Sequence, residues 1–203
     1  KGKAVILMGP LENHAALVRT KDVETVFSKP ECKIEILEKQ TANWSRTQAQ
    51  DLVSSWLTAG IQFDAVIANN DEMAIGAAQA LKAAGVSMKD VVIAGIDATP
   101  DGLAAMQAGD LDITVYQNAT KQGEVSVQTA VKAAAGQGTE KTLWVPFELV
   151  TPENMAAYAK STGLLPRSIY HSTVNSHETY ARPPHVPAPL PGRDLPQGCR
   201  TRL

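Results

Sequence analysis

Histidine is scarce where chemistry would need it. The chain has four His in 203 residues, and only His14 precedes residue 164. A Ser–His–acid set would have to use that one residue. Cysteine is as sparse: Cys32 and Cys199 make no disulfide framework and no Cys/His cluster with metal spacing. There is no GxxxxGK(S/T) phosphate loop and no GxGxxG fingerprint. No apolar run approaches the ~18 residues of a membrane span. A net charge of −2 without a basic cluster argues against a nucleic-acid surface. No charged-then-apolar leader is visible, and Lys1 reads as an internal residue. These absences predict a protein that is not an enzyme, needs no metal or cofactor, and neither inserts in a membrane nor binds nucleic acid.

What is present is ordinary for a globular chain, with 44% hydrophobic and 20% charged residues. The averages hide a break. Residues 1–163 hold 12 Lys, 2 Arg and 19 acidic residues, whereas residues 164–203 hold no Lys, 5 Arg and 2 acidic residues. The later segment also carries 7 of the 12 Pro. Its run from Arg182 to Arg193 (RPPHVPAPLPGR) fits neither a helix nor a central strand. Residues 164–203 therefore read as a disordered or polyproline-like tail. A Pro-rich partner ligand is one reading. The abrupt loss of Lys favours the other, a non-native tail such as an out-of-frame extension.

The first 163 residues alternate strand and helix signals. Lys3–Met8, Lys33–Lys39, Asp64–Asn69, Asp90–Ile96 and Asp112–Gln117 read as strands. Between them lie helical stretches. Ala49, Leu52, Val53, Trp56 and Leu57 form one helical stripe behind a Ser45 cap. Met73, Ala77 and Leu81 form another behind Asn70 or Asp71, and Thr99–Pro100 opens a short helix that Gly109 stops. Leu143–Leu149 reads as extended, but Pro146 keeps it off a central ladder. This order predicts an α/β fold: an open parallel sheet with helices on both faces.

Ligands of such sheets bind at the carboxyl ends of the strands. Gly9 and Pro10 follow the first strand, and Arg19 enters with the helix after it. Asn43 and Trp44 follow the second, Asn69 and Asn70 end the third, Asp97 the fourth and Gln117 the fifth. Each residue has an ordinary alternative: Asn70 as a cap, Asp97 as a turn residue, Arg19 as a solvated side chain, Trp44 as core. Together they make a polar rim with one aromatic wall. Asn and Gln donate and accept, Asp accepts, and Arg donates from a fixed fork. That set suits vicinal hydroxyls, and the aromatic face suits the C–H face of a ring. It is a set for recognition rather than turnover.

Two segments carry a resemblance. ANNDEMAIG (Ala68–Gly76) and VVIAGIDATPDG (Val91–Gly102) are similar to the ribose-binding branch of the periplasmic sugar-binding proteins, which serve ABC transporters. QTANWSR (Gln40–Arg46) with LMGPLENHAALVRTKDV (Leu7–Val23) looks most like the myo-inositol and rhizopine binders of that branch. The resemblance runs from about Gly2 to about Gly163. It implies a periplasmic solute-binding protein that grips a sugar or cyclitol between two α/β lobes and delivers it to a membrane permease. It also implies roles. Arg19 matches the ligand-binding arginine, Trp44 the stacking aromatic, Asn70 the asparagine of the NDEMA motif, Asp97 the aspartate before TPDG, and Gln117 the glutamine of the last hinge crossover. Asp22 and Val23 depart from the Arg-x-x-Gly-Phe context of the ribose binders, which weakens ribose as the ligand.

The resemblance further implies a division of the chain. Residues 1–118 would be the ligand-binding lobe. Residues 119–163 would hold a crossover helix, an extended segment and a last helix belonging partly to a first lobe that this chain lacks. The helix near Thr120–Ala135 would then expose Val127, Ala130, Val131 and Ala134, and ligand would bind weakly or not at all. The alternative function is the effector-sensing domain of a LacI-type transcription regulator, which shares the fold. The TPDG run and the Gln117 crossover look more like transport.

Overall fold

The computed structural model describes residues 2–159, so the tail predicted over 164–203 and the last residues of the 119–163 segment lie outside the described residues. Twelve elements alternate as the sequence predicts: β1 (Gly2–Met8), α1 (His14–Phe27), β2 (Ile34–Thr41), α2 (Arg46–Thr58), β3 (Ala65–Ala68), α3 (Asp71–Ala83), β4 (Val92–Ala94), α4 (Pro100–Ala108), β5 (Thr114–Tyr116), α5 (Ala119–Ala134), β6 (Glu148–Val150) and α6 (Ala156–Ala159).

β1 to β4 form a parallel sheet in the order β2-β1-β3-β4. The chain moves outward one way from β1 to β2, then the other way through β3 and β4. The crevice between β1 and β3 is thus a switch point, where α/β sheets bind ligands. β1 is flanked on both edges, and Ala4, Val5, Ile6 and Leu7 are fully buried.

Strand alternation sorts the core onto two faces. Val5, Leu7, Val66 and Ile93 pack with Val53 and Trp56 of α2, Met73 and Leu81 of α3, and Leu103 of α4. Ile6 and Met8 meet Val23 and Phe27 of α1, with Ile36 and Ile67 beside them. Helices therefore cover both faces, as expected. The second face is served by α1 alone among the described helices, which leaves Val92 of β4 exposed.

The caps follow the sequence. Asn13 accepts from Ala15 and Ala16 N–H at the start of α1, and Ser45 accepts from Gln48 N–H at the start of α2. Thr99 accepts from Gly102 N–H ahead of Pro100, and Gly109 ends α4 in the left-handed conformation at φ 80°.

The last strands differ from expectation. The fourth and fifth predicted strands shrink to three residues each. Asp112 is one cause: its carboxylate accepts from Ile93 N–H at 2.8 Å, a side-chain bond where a ladder bond would lie. The other is the turn after Ala94, where Asp97 and Ala98 take φ of 129° and 52°. β5 joins the edge of the parallel sheet through bridges at Ala94–Ile113 and Asp97–Tyr116, where Gly95 N–H donates to the Ile113 carbonyl and Asp97 N–H to the Val115 carbonyl, both at 2.8 Å. Its full ladder is antiparallel, with β6 beyond Pro146. Tyr158 then stacks tilted on Tyr116 at 5.1 Å, and Val150 and Ala159 are buried, so residues 148–159 pack back on the core of the parallel sheet.

Candidate functional site

The site is built around Arg19, in the second turn of α1. Its Nη1 donates to the Asn69 carbonyl at 2.7 Å, and its Nη2 donates to Gln117 Oε1 at 2.8 Å. Nη1 also lies 3.6 Å from Asp97 Oδ1. The guanidinium carbon sits 5.7 Å from the Trp44 ring centroid, within cation–π range. Arg19 thus joins the carboxyl ends of β2, β3, β4 and β5. With 15% of its side chain exposed, it is a fixed partner and not the solvated arginine of its ordinary reading.

Four of the five expected residues are therefore brought into direct contact: Arg19, Trp44, Asp97 and Gln117. Asn70 stands beside them at the end of β3, but its Oδ1 is committed to capping α3 through Met73 N–H at 3.0 Å. Its capping reading holds. Its Nδ2 donates to no side chain or backbone group among the described residues.

The backbone that presents these groups is strained. Asn43 (φ 52°) and Trp44 (φ 62°) follow β2, and Asp97 and Ala98 follow β4, all at positive φ. Positive φ at non-glycine residues costs on the order of 1–3 kcal/mol each and persists only where the surroundings enforce it. Here it turns an indole and a carboxylate toward the rim. The Asn43 amide donates to Gln48 Oε1 at 2.8 Å, which anchors the first turn. Gly9 makes room for the indole: a Cβ there would lie 2.3 Å from the Trp44 ring.

Burial pushes the Asp97 carboxyl up to about 6; Arg19 opposes the rise, and the like charges of Asp71 and Glu72 add to it. Near neutral pH it is an anion with 30% of its side chain exposed, ready to accept hydroxyl donors. Gln117 keeps its amide N–H beside Gln122 Oε1 at 3.4 Å, a long contact open to exchange for a ligand oxygen.

Sequence reading places Asn69 on the rim and Asp71 as a candidate cap, and misses that both act as supports. Asn69 is buried, and its Oδ1 accepts from Gly9 N–H at 3.1 Å and Thr20 Oγ1 at 3.0 Å, tying β1 and α1 to β3. Asp71 is buried too, and its carboxylate holds Thr99 and Thr114. The signal was there in part: Thr20 is a polar residue at helical spacing from Val23 and Phe27.

Residues 1–138 match the family model described as a periplasmic binding protein domain. The chain belongs to the periplasmic binding protein family. It is 60% identical over 159 residues to the "Putative rhizopine-binding protein" of Rhizobium meliloti, an alignment covering 78% of this chain and 52% of that protein. It is 42% identical over 157 residues to the "Xylitol-binding protein" of Mycolicibacterium smegmatis, covering 76% and 44%. Among solved structures, an ABC transporter solute binding protein from Bacillus halodurans C-125 with bound myo-inositol matches with a TM-score of 0.74 at 43% identity, covering 79% of this chain and 55% of that one. The chain spans about half the length of these relatives. They are solute-binding proteins by name, not enzymes. Among the described residues of this family member, no helix is long and apolar enough to cross a membrane, and no cluster of His, Cys, Asp and Glu could hold a metal ion.

Proposed function

We propose that this chain is one lobe of the periplasmic solute-binding component of an ABC importer for a sugar or cyclitol. The observation that carries the reading is the Arg19 hub, which holds an indole face, a carboxylate and a carboxamide at one sheet rim. The Trp44 face takes the C–H side of a polyol ring. Asp97 accepts from adjacent hydroxyls, while Gln117 and the free Asn70 amide donate to hydroxyl oxygens. The names of the relatives, which include rhizopine, xylitol and ribose binders, favour transport over the LacI-type regulator reading. Delivery to a membrane permease and a periplasmic location follow from the same reading.

Residues 1–118 act as the ligand-binding lobe, and part of 119–163 packs on a second lobe. Two features support the division. α5 has no buried residue, and Val127 and Val131 on it are 65% and 64% exposed. The half-length match to the relatives fits it as well.

The test is a titration of this chain with myo-inositol, followed by NMR. Expected are saturable shifts confined to Trp44, Asn70, Asp97 and Gln117, with a dissociation constant on the order of millimolar, and weaker binding in Trp44→Ala and Asp97→Asn. Saturable shifts centred elsewhere would overturn the site. Sub-micromolar binding by this chain alone would overturn the need for a second lobe.

A further inference from the structure

Asp71 opens α3 directly after Asn70, and its side chain is fully buried. It cannot touch a ligand at the rim. Its bonds run to the turn that presents Asp97 and to Thr114 of β5 beside it. Oδ2 accepts from Thr99 N–H at 2.8 Å and from the Thr99 hydroxyl at 3.4 Å, and Oδ1 accepts from the Thr114 hydroxyl at 2.6 Å. Its own N–H donates to the Ile96 carbonyl at 2.9 Å.

The two hydroxyls relay this hold. Thr114 Oγ1 accepts from Ala98 N–H at 3.1 Å while donating to Asp71, and Thr99 Oγ1 accepts from Gly102 N–H at 2.9 Å while donating to Asp71. The Thr99 N–H and both hydroxyls can donate to the carboxylate, a set that suits its ionised form. Ile96, Ala98 and Thr99 are all tethered by Asp71 or through Thr114. Between them sit Asp97 and Ala98, at φ of 129° and 52°. Two glycines admit the carboxylate: a Cβ on Gly95 would lie 2.4 Å from Oδ1, and one on Gly102 would lie 2.1 Å from Oδ2.

We propose that Asp71 is a positioning residue: through Thr99 and Thr114 it holds the strained Asp97–Ala98 turn in the one conformation that aims Asp97 at Arg19 and the ligand rim. The role rests on the proposed reading of Asp97 as a ligand acceptor, but its test needs no ligand. Strain of this kind persists only where the surroundings over-determine the backbone. Here the over-determination converges on one buried carboxylate. The charged groups acting on Asp97 are Arg19 from α1 and Asp71 and Glu72 from α3. Loss of the Asp71 charge, or relaxation of the turn toward solvent, both lower the Asp97 titration midpoint.

The experiment follows the Asp97 carboxyl by NMR across pH in this chain, with amide exchange of Ala98 and Thr99 read against Ile93. In Asp71→Asn the Asp97 midpoint falls from about 6 toward the ordinary 3.8. Ala98 and Thr99 amides exchange at least about tenfold faster while Ile93 is unchanged. Thr114→Val keeps the shape of β5 but removes the hydroxyl, so Ala98 exchange rises; Thr114→Ser restores it. Should Asp71→Asn fail to fold, the Thr114 pair decides alone. An Asp97 midpoint and Ala98 exchange unaltered in the folded variants would overturn the proposal. A chain that shows these shifts yet binds no polyol would retain the strut and refute only the proposed function.

Discussion

A carboxylate half out of water beside a guanidinium gives the rim its pH dependence. Asp97 rises to about 6 chiefly because burial disfavours its charge. A raised carboxyl contributes stability that is fully present below its unfolded value of 3.8 and is lost as pH climbs through about 6. Asp71 and Asp112 are raised too, also chiefly by burial, and act in the same sense. Asp97→Asn should therefore raise the thermal midpoint by on the order of a few degrees near pH 7.5 and by nothing near pH 3.5. A gain at both pH values would point to backbone relief at φ 129° instead. Polyol binding runs the other way, weakening as acid protonates the acceptor below about 6. At Gly9 the argument is steric. An added methyl would stand 2.3 Å from the indole of Trp44. Gly9→Ala should destabilise by about 1–3 kcal/mol and shift the Trp44 indole N–H resonance while that of Trp56 stays in place. An unmoved Trp44 signal would show that the backbone yields instead.

Three helices bring their N-termini to the same rim, and one side chain joins them. Arg46, the first residue of α2, donates Nε and Nη2 to the Glu72 carboxylate of α3 at 3.0 and 2.9 Å. Its Nη2 also reaches Asp101 of α4 at 2.7 Å. A cation is misplaced at a helix N-terminus, but carboxylates in the first turns of the neighbouring helices reverse the balance. A third of the Arg46 side chain is exposed, so solvent screens the network. Arg46→Ala should cost about 1 kcal/mol in urea unfolding, and salt should erase most of the difference. An equal loss at high salt would assign the effect to packing of the arginine stem.

The molecule as a whole is uneven. Its sheet core is closed around β1, while the stretch from α5 to Phe147 is laid out in solvent, with Trp144 88% exposed. Under the proposed division, the exposed Val127, Val131 and Trp144 belong to a face that a second lobe covers. If that face belongs to a second lobe, it contributes nothing to the stability of this one. The double change Val127→Lys with Val131→Lys should leave unfolding within about 0.5 kcal/mol of the parent and reduce self-association at high concentration. A loss above about 1 kcal/mol would show that α5 packs on this lobe. By the same reasoning, α5 amides should exchange far faster than those of β3.

Local chemistry was legible in the residues. Short apolar runs marked the strands, Ser45 and Thr99–Pro100 marked helix starts, and Gly109 marked a stop, because caps and periodicity act within a few residues of their cause. The strand-end rule picked out the rim, and the motifs around Asn70 and Asp97 pointed to the family. Other features depended on contacts between distant segments. Strand order is decided by which edges pair: β5 keeps an interrupted parallel pairing with residues 93–97, where Asp112 takes the Ile93 N–H, and gains an antiparallel partner in β6. The Arg19 hub spans 98 residues to Gln117, and Asp71 reaches 43 residues to Thr114. No period or motif encodes such bonds. A buried carboxylate and a half-buried guanidinium gain their roles only when folding has removed the water that would otherwise solvate them.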